Sequence, residues 1–355
     1  MKKKILISTG GSGGHVLPAI TIYDHLKYSY ETLISTDIRG LKYLDKENYK
    51  PIIIDTPKFN NIFLLPFAFI KVIFLTTKCL TLLKKENISI LVSTGGYMSL
   101  PLCLAAKILK IKIFLLEPNM IIGRANKFFL NFSEKIFCYS DKLIDFPKKF
   151  KNKINIIKPL VSKKHYERNS KNNKKNKFCF MIVGGSQGAN IFDDLFKEVI
   201  FEIFKKNSIK VIQQTNINNI DKLKQFYNKN NIENRIFSFE KNLIEFMDES
   251  DLCITRAGAT TLAELSILNK PFIAIPLPTA KDNHQFENAN FYQNLDCCWI
   301  IDQKNLDKTK LVEFLNGILE NKNDYMNKIS NLKKLNYRNS WNYVNQKILK
   351  TINEN

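Results

Sequence analysis

Short apolar runs alternate with longer stretches of helical period along almost the whole chain. KILIS (4–8), TLIST (32–36), PIIID (51–55), ILVST (90–94), KIFLLE (112–117) and KIFCYS (135–140) read as strands, and NKINIIKP (152–159) follows them. Short continuous apolar runs between helical stretches are the mark of parallel sheets covered on both faces. Residues 162–177, SKKHYERNSKNNKKNK, have no apolar period and read as a linker or mobile loop. Beyond them the pattern restarts with FCFMIVGG (178–185), IKVIQQT (209–215), RIFSFE (235–240), DLCITRAG (251–258), PFIAIPLP (271–278) and CCWIID (297–302). Each half opens on strand, Gly-rich turn and helix, a loose architectural repeat. The fold class expected is α/β, as two Rossmann-like domains with parallel sheets facing a central cleft.

One segment stands apart. Residues 62–83, IFLLPFAFIKVIFLTTKCLTLL, are long enough to raise the question of a membrane span. Pro66 interrupts the run near its start, and Lys71 and Lys78 fall inside it, where charges are costly in hydrocarbon. A span is therefore not expected. Two readings stay open: a buried helix of the first domain, or an apolar, Lys-bearing surface that dips into a membrane interface.

The length of 355 residues exceeds one ordinary core and fits two domains. The net charge is +21, from 54 Lys and Arg against 33 Asp and Glu. Such an excess suits a polyanion or an anionic membrane surface. Only six of the basic residues are Arg, whereas nucleic-acid interfaces lean on Arg forks, and the Lys travels with many Asn, Ile and Phe, as in AT-rich coding. No nucleic-acid partner is expected; a basic surface that favours acidic lipid is. The cysteines (Cys79, Cys103, Cys138, Cys179, Cys253, Cys297 and Cys298) are odd in number, form no C-x-x-C pair and sit mostly in apolar runs. They read as buried free thiols, not as disulfides or a zinc site. The apolar run after MKKK ends after four residues, too short for a signal peptide, so a cytosolic protein is expected.

The chemistry gathers where strands end. In STGGSGGHVLPA (8–19), Gly10, Gly11, Ser12, Gly13 and Gly14 follow a strand and Pro18 lies near the first helical turn. Backbone N–H groups at such a turn, with the helix's partial positive charge, form an anion site that glycine lets a ligand approach. The loop is not a Walker P-loop, since no Gly-Lys-Ser/Thr follows, and Val16 breaks G-x-G-x-x-G. TGGY (94–97) and GGSQGA (184–189) end two further strands, as do EPN (117–119), TRAGATTLAE (255–264) and PTAKDNHQ (278–285). Open α/β sheets bind ligands at that edge. Three phosphate-friendly loops imply one phosphate-rich ligand or two phosphorylated ones. Glu264, about one turn into its helix, reads either as the acceptor for a ribose diol or as a first-turn capping acid. His25 falls at an amphipathic helix position and reads as structural, whereas His15 at the rim of the first Gly loop reads as a base or a diphosphate contact.

GGSGGHVLP, TGGYMSLP, LEPNMIIGRANK, VGGSQGANIF and TRAGATTLAEL…KPFIAIPLP…KDNHQ together resemble the bacterial MurG family, over nearly the whole chain. The resemblance implies a GT-B architecture. Residues 1–161, joined by a C-terminal helix at 336–355, would take the lipid-linked acceptor (lipid I) and face the membrane, and residues 162–335 would bind UDP-GlcNAc. It implies an inverting transfer of GlcNAc to the MurNAc 4-hydroxyl of lipid I, giving lipid II for peptidoglycan, at the cytoplasmic face of the inner membrane. Carried over, His15 would be the catalytic base or a phosphate contact. Donor contacts would come from Ser12, Gly13, Gly14, Asn119, Ser186, Ala259, Thr260, Thr261, Leu262, Ala263, Glu264 (ribose) and Gln285 (sugar). Gly13, Gly14, Gly95, Gly96 and Tyr97 would meet the acceptor diphosphate. There is no D-x-D motif, and neither metal nor cofactor is called for.

Three positions depart from the family pattern. Val161 stands where an Arg contacts the donor, with Lys163 or Lys164 as substitutes. Leu116 and Pro118 replace polar residues, and Glu240 replaces an apolar neighbour of the uracil. Rival readings are a nicotinamide-dependent oxidoreductase, which needs the complete G-x-G-x-x-G, a binding-only homologue without turnover, and a UDP-GlcNAc 2-epimerase, which leaves 62–83 unexplained.

Overall fold

The computed structural model describes residues 2–57, 65–168, 176–184, 190–240 and 242–355. The chain divides into two compact units, Met1–Ser162 with Ser340–Asn355, and Lys163–Asn339.

The first unit holds β1 (Lys4–Ser8), β2 (Glu31–Thr36), β3 (Ile52–Ile53), β4 (Ile88–Ser93), β5 (Lys112–Glu117), β6 (Lys135–Cys138) and β7 (Ile154–Ile156). They form one parallel sheet in the order β3-β2-β1-β4-β5-β6-β7. Alternation along each strand feeds two cores. Ile5, Ile7, Ile90, Val92, Phe114 and Leu116 pack with Val16, Ile22 and Leu26 of the helix Gly13–Leu26. Leu6, Leu91, Ile113 and Leu115 pack on the opposite face with Cys79, Leu83, Leu102 and Cys103. Both faces are dry, so the strands read as continuous apolar runs rather than as alternating ones.

The second unit holds β8 (Phe178–Val183), β9 (Ile209–Gln214), β10 (Glu233–Phe237), β11 (Leu252–Thr255), β12 (Phe272–Ala274) and β13 (Cys298–Ile300). Its parallel order is β10-β9-β8-β11-β12-β13. Phe180, Ile182 and Ile254 face one core, and Met181, Cys253 and Ala274 the other.

The helix Trp341–Glu354 belongs to the first unit, where Val344, Ile348 and Ile352 join the core of Ile5 and Ile22. Its start is pinned by the Trp341 indole stacked on the His25 imidazole, with ring centroids 3.6 Å apart. Burial pushes His25 down to about 3, so the ring stays neutral, in keeping with a structural role. Residues 336–339 stay with the second unit, where Asn336 Nδ2 donates to the Ser266 carbonyl at 2.8 Å.

The segment 162–177 carries more structure than its composition suggests. Lys164–Glu167 form a short helix, His165 is buried, and Arg168 pairs with Asp248 and donates to the Leu268 carbonyl at 3.1 Å. Single anchoring residues leave no period to read. All seven cysteines are buried free thiols.

The apolar segment forms the helix Leu65–Lys85, while residues 62–64 lie outside the described residues. By length and composition it could cross a membrane, with a mean hydropathy of 1.6. A stripe of Ala68, Val72, Thr76, Cys79 and Leu83 is buried at helical spacing. The other faces expose Phe67, Phe69, Ile70, Ile73 and Phe74 at 52–71 % of their surface, along with exposed Lys71 and Lys78. Both readings of this segment thus describe part of the helix: one stripe is core, and an apolar, basic surface lies opposite.

Candidate active site

In the first sheet the strand order reverses between β1 and β4, and in the second between β8 and β11. A crevice for ligands opens at the carboxyl ends of strands where such a reversal occurs. The first Gly loop follows β1 and TGGY follows β4, so both flank the first reversal. In the second sheet, TRAGATTLAE follows β11, and in chain order GGSQGA comes after β8. Ser186 and its neighbours 185–189 lie outside the described residues.

Around β1 and β4 two loops are locked together. Gly11 and Gly96 each have φ of +78°, a conformation that side-chain-bearing residues rarely adopt. A Cβ on Gly11 would stand 2.6 Å from Met98 Cε, and one on Gly96 would stand 2.3 Å from Met98 Sδ. The Met98 side chain fills the space between the loops. His15 joins them a second time, because its Nδ1 lies 2.8 Å from the Thr94 carbonyl oxygen. A carbonyl can only accept, so Nδ1 carries the hydrogen and Nε2 carries the lone pair. A Cβ on Gly96 would lie 3.6 Å from that Nε2.

The helix Gly13–Leu26 starts in this loop, with Ser12 at its cap position and no hydrogen bond from the Ser12 side chain to the helix. The N–H groups of Gly13 and Gly14, in the first turn, have no carbonyl one turn back within the helix. By contrast, Gly11 N–H already donates to Asp37 Oδ1 at 2.7 Å, and Gly95 N–H to Ser93 Oγ at 3.1 Å. The donors suited to an anion are therefore those of the helix start, not those of every glycine.

Two carboxylates hold this frame: Asp37, which the sequence did not single out, and Glu117, which the sequence placed with Asn119 at a strand end without a supporting role. Asp37, fully buried at the end of β2, accepts from Gly11 N–H, from Gly40 N–H at 2.9 Å and from Arg39 Nε at 2.9 Å. Arg39 in turn lies over the Tyr97 ring, its Cζ 5.0 Å from the centroid. Glu117, at the end of β5, accepts from Asn119 Nδ2 at 3.0 Å, Gly123 N–H at 2.7 Å and Asn126 Nδ2 at 3.0 Å. Asn119 is thereby oriented by a buried carboxylate. The only available signal was position: a carboxylate just beyond β2, and another closing β5, both at the ligand edge.

In the second unit, TRAG leads into the helix Ala259–Ile267. Leu262 packs in the core with Leu265, and Ala263 is also buried, so the open face of that first turn is left to Thr261 and Glu264, three residues apart. Thr260 is nearly buried and Ala259 half-buried. Burial pushes the Glu264 carboxyl up to about 7. His165 Nε2 lies 3.9 Å from Glu264 Oε1. Arg256 is 8 % exposed, lies over the Phe192 ring at 4.6 Å, and donates from Nη1 to the Ile275 carbonyl at 3.0 Å. It clamps the end of β12. Gln285 Oε1 accepts from Leu277 N–H at 2.9 Å, which leaves its amide nitrogen as the donor end.

The departures have a physical setting too. Val161 is buried in the first unit, Lys163 pairs with Glu167 at 2.6 Å, and Glu240 Oε1 accepts from Asn242 N–H at 2.7 Å.

Comparison with known proteins places these features in a class. Residues 5–138 match the glycosyltransferase family 28 N-terminal domain, and residues 179–340 match the glycosyltransferase family 28 C-terminal domain. The chain is thus built as a family 28 glycosyltransferase of the GT-B type. It is 50% identical, over all of both chains, to the UDP-N-acetylglucosamine–N-acetylmuramyl-(pentapeptide) pyrophosphoryl-undecaprenol N-acetylglucosamine transferase of Pelagibacter ubique. The enzyme of the same name from Rickettsia canadensis is 34% identical, over 90% of this chain and 91% of that one. Among solved structures, MurG of Acinetobacter baumannii aligns with a TM-score of 0.78 at 20% identity, covering 98% of this chain and 99% of that one. A UDP-GlcNAc 2-epimerase of Neisseria meningitidis aligns at 0.68 and 12%, covering 99% and 100%, a likeness of fold alone. The chain belongs to the MurG family of N-acetylglucosamine transferases.

Proposed function

We infer that this chain is an inverting glycosyltransferase that moves GlcNAc from UDP-GlcNAc to the MurNAc 4-hydroxyl of lipid I and so produces lipid II. The full-length identity to the Pelagibacter ubique transferase carries this reading.

Inversion by direct displacement needs a base for the acceptor hydroxyl, an acceptor held in place, and donors for the departing diphosphate. His15 takes the first role: the Thr94 carbonyl fixes Nδ1–H and leaves Nε2 to receive the proton. Ser12 and the first-turn N–H groups of Gly13 and Gly14 offer donors to phosphate oxygens, with Gly95, Gly96 and Tyr97 as the neighbouring wall of the acceptor diphosphate site. On the second unit, Glu264 accepts from the ribose hydroxyls and Gln285 donates its amide hydrogens to the sugar. Ser186 and the helix start at 259–261 serve the donor diphosphate, and the side chains of Leu262 and Ala263 hold that turn from the core. Asn119, oriented by Glu117, offers a further polar contact for the donor.

A lipid-linked acceptor requires the enzyme to work at a membrane face. The exposed Phe67, Phe69, Ile70, Ile73 and Phe74, with Lys71 and Lys78 among them, suit shallow insertion beside acidic headgroups. The enzyme is accordingly a peripheral protein of the cytoplasmic face of the inner membrane.

The test is UDP release from UDP-GlcNAc with and without a short-chain lipid I analogue. Release that needs the acceptor is expected. Release without it would favour hydrolysis or epimerisation, and heat protection by UDP-GlcNAc without release would favour a binding protein.

A further inference from the structure

We propose that Arg39 contacts the acceptor diphosphate, a role that rests on the transferase reading above. The guanidinium is a preorganised part of the first unit's site. Its Nε and Nη2 donate to Asp37 Oδ2, and its Cζ lies over the Tyr97 ring. A Cβ on Gly11 would stand 3.6 Å from Arg39 Nη2, so the group borders the first Gly loop and the TGGY loop together. The pair of Nη1 hydrogens and the second Nη2 hydrogen remain for another acceptor.

Asp37 does not cancel this charge locally. Its carboxylate also receives the Gly11 and Gly40 N–H groups, so its negative charge is shared among backbone dipoles beneath the loop. It is fully buried, while the Arg39 side chain is 37% exposed. The exposed end of this pair is therefore cationic. A guanidinium already fixed by a carboxylate and a ring loses little side-chain freedom when it binds, and its fork suits phosphate oxygens better than a lysine does. Together with the Gly13 and Gly14 amides it supplies a fixed positive charge to the dianionic link between sugar and lipid.

The test is steady-state kinetics of the full chain with UDP-GlcNAc and a short-chain lipid I analogue, for Arg39→Gln and Arg39→Lys. Gln retains a donor for Asp37 and removes the charge; Lys retains a charge without the fork. A charge-assisted contact of ordinary strength predicts an acceptor KM raised about 10- to 100-fold in Arg39→Gln. Arg39→Lys should fall between it and wild type. The donor KM should stay within about twofold in both. Inorganic pyrophosphate at saturating donor should compete with the acceptor, its inhibition constant rising in parallel. An unchanged acceptor KM in an active variant, or equal rises in acceptor and donor KM, would overturn the assignment. If Arg39→Gln does not fold, the same comparison on Arg39→Lys decides. Wild-type enzyme with no acceptor-dependent release would instead refute the transferase reading itself.

Discussion

Replacing Glu264 by Gln separates two consequences of burying one carboxyl. Burial raises its folded-state pKa from 4.5 to about 7. Between those values the folded chain holds a proton that the unfolded chain has released, so the folded form is favoured most at low pH. That advantage is lost as pH rises through 7. A shift of this size corresponds to about 3 kcal/mol, at about 1.4 kcal/mol per pH unit. Glutamine carries no charge to bury. The unliganded Glu264→Gln protein should therefore be more stable than wild type at pH 8, by up to that free energy and with a higher unfolding temperature, the gap closing toward pH 5. Donor binding should move the other way, because a carboxylate accepting the two ribose hydroxyls is stronger than an amide oxygen. The KM for UDP-GlcNAc at pH 8 should rise about 10- to 100-fold. In wild type, donor affinity should increase about tenfold from pH 6 to pH 8 as Glu264 ionises. The assays are thermal unfolding and donor-dependent UDP release over that pH range. A variant destabilised equally at pH 5 and pH 8 would refute the reasoning, since it would make Glu264 a structural acceptor instead of a carboxyl held in reserve for the ribose.

Other expectations follow from the same geometry. His15→Ala should lower kcat about 10²- to 10⁴-fold and leave the donor KM within about twofold, and equal loss of both would remove it as the base. Phe69→Ser with Phe74→Ser, at side chains 63% and 56% exposed, should weaken binding to vesicles containing anionic lipid. The loss should be about 3 kcal/mol, or roughly a hundredfold, without change in unfolding temperature; equal partition of variant and wild type in a sedimentation assay would exclude this face. His25, depressed from 6.5 to about 3, makes the unfolded chain the better proton binder below pH 6.5, so stability should fall on acidification by about 2 kcal/mol at pH 5. His25→Phe, which keeps a ring against Trp341, should flatten that slope in urea titrations, and an unaltered slope would place the acid-sensitive group elsewhere.

What the sequence revealed and what it hid have distinct physical causes. The strands were legible because a parallel sheet buried on both faces leaves an uninterrupted apolar run, as in Ile5, Leu6 and Ile7. The Gly loops were legible because a positive φ at Gly11 and Gly96 restricts the residue type. Asp37 and Arg39 were not, since their importance comes from neighbours that only the sheet brings near: β2 beside β1 places Asp37 under Gly11, 26 residues away in sequence, and Arg39 over Tyr97. Glu117 was legible by place, in EPN at a strand end, while its bonds to Gly123 and Asn126 needed the folded loop. The helix Leu65–Lys85 shows the opposite limit. Hydrophobic periodicity locates a buried face only when the other face is polar. Here the inward Ala68, Val72, Cys79 and Leu83 and the outward Phe67, Ile70 and Phe74 are apolar alike, so the period fades where packing distinguishes them. An apolar surface that the fold leaves uncovered, with lysines spaced along it, is unstable in water unless something amphipathic meets it. Under the membrane-facing role proposed above, the bilayer that holds the acceptor's lipid chain is that partner, and one helix serves both the core and the interface; the vesicle assay on Phe69 and Phe74 tests it.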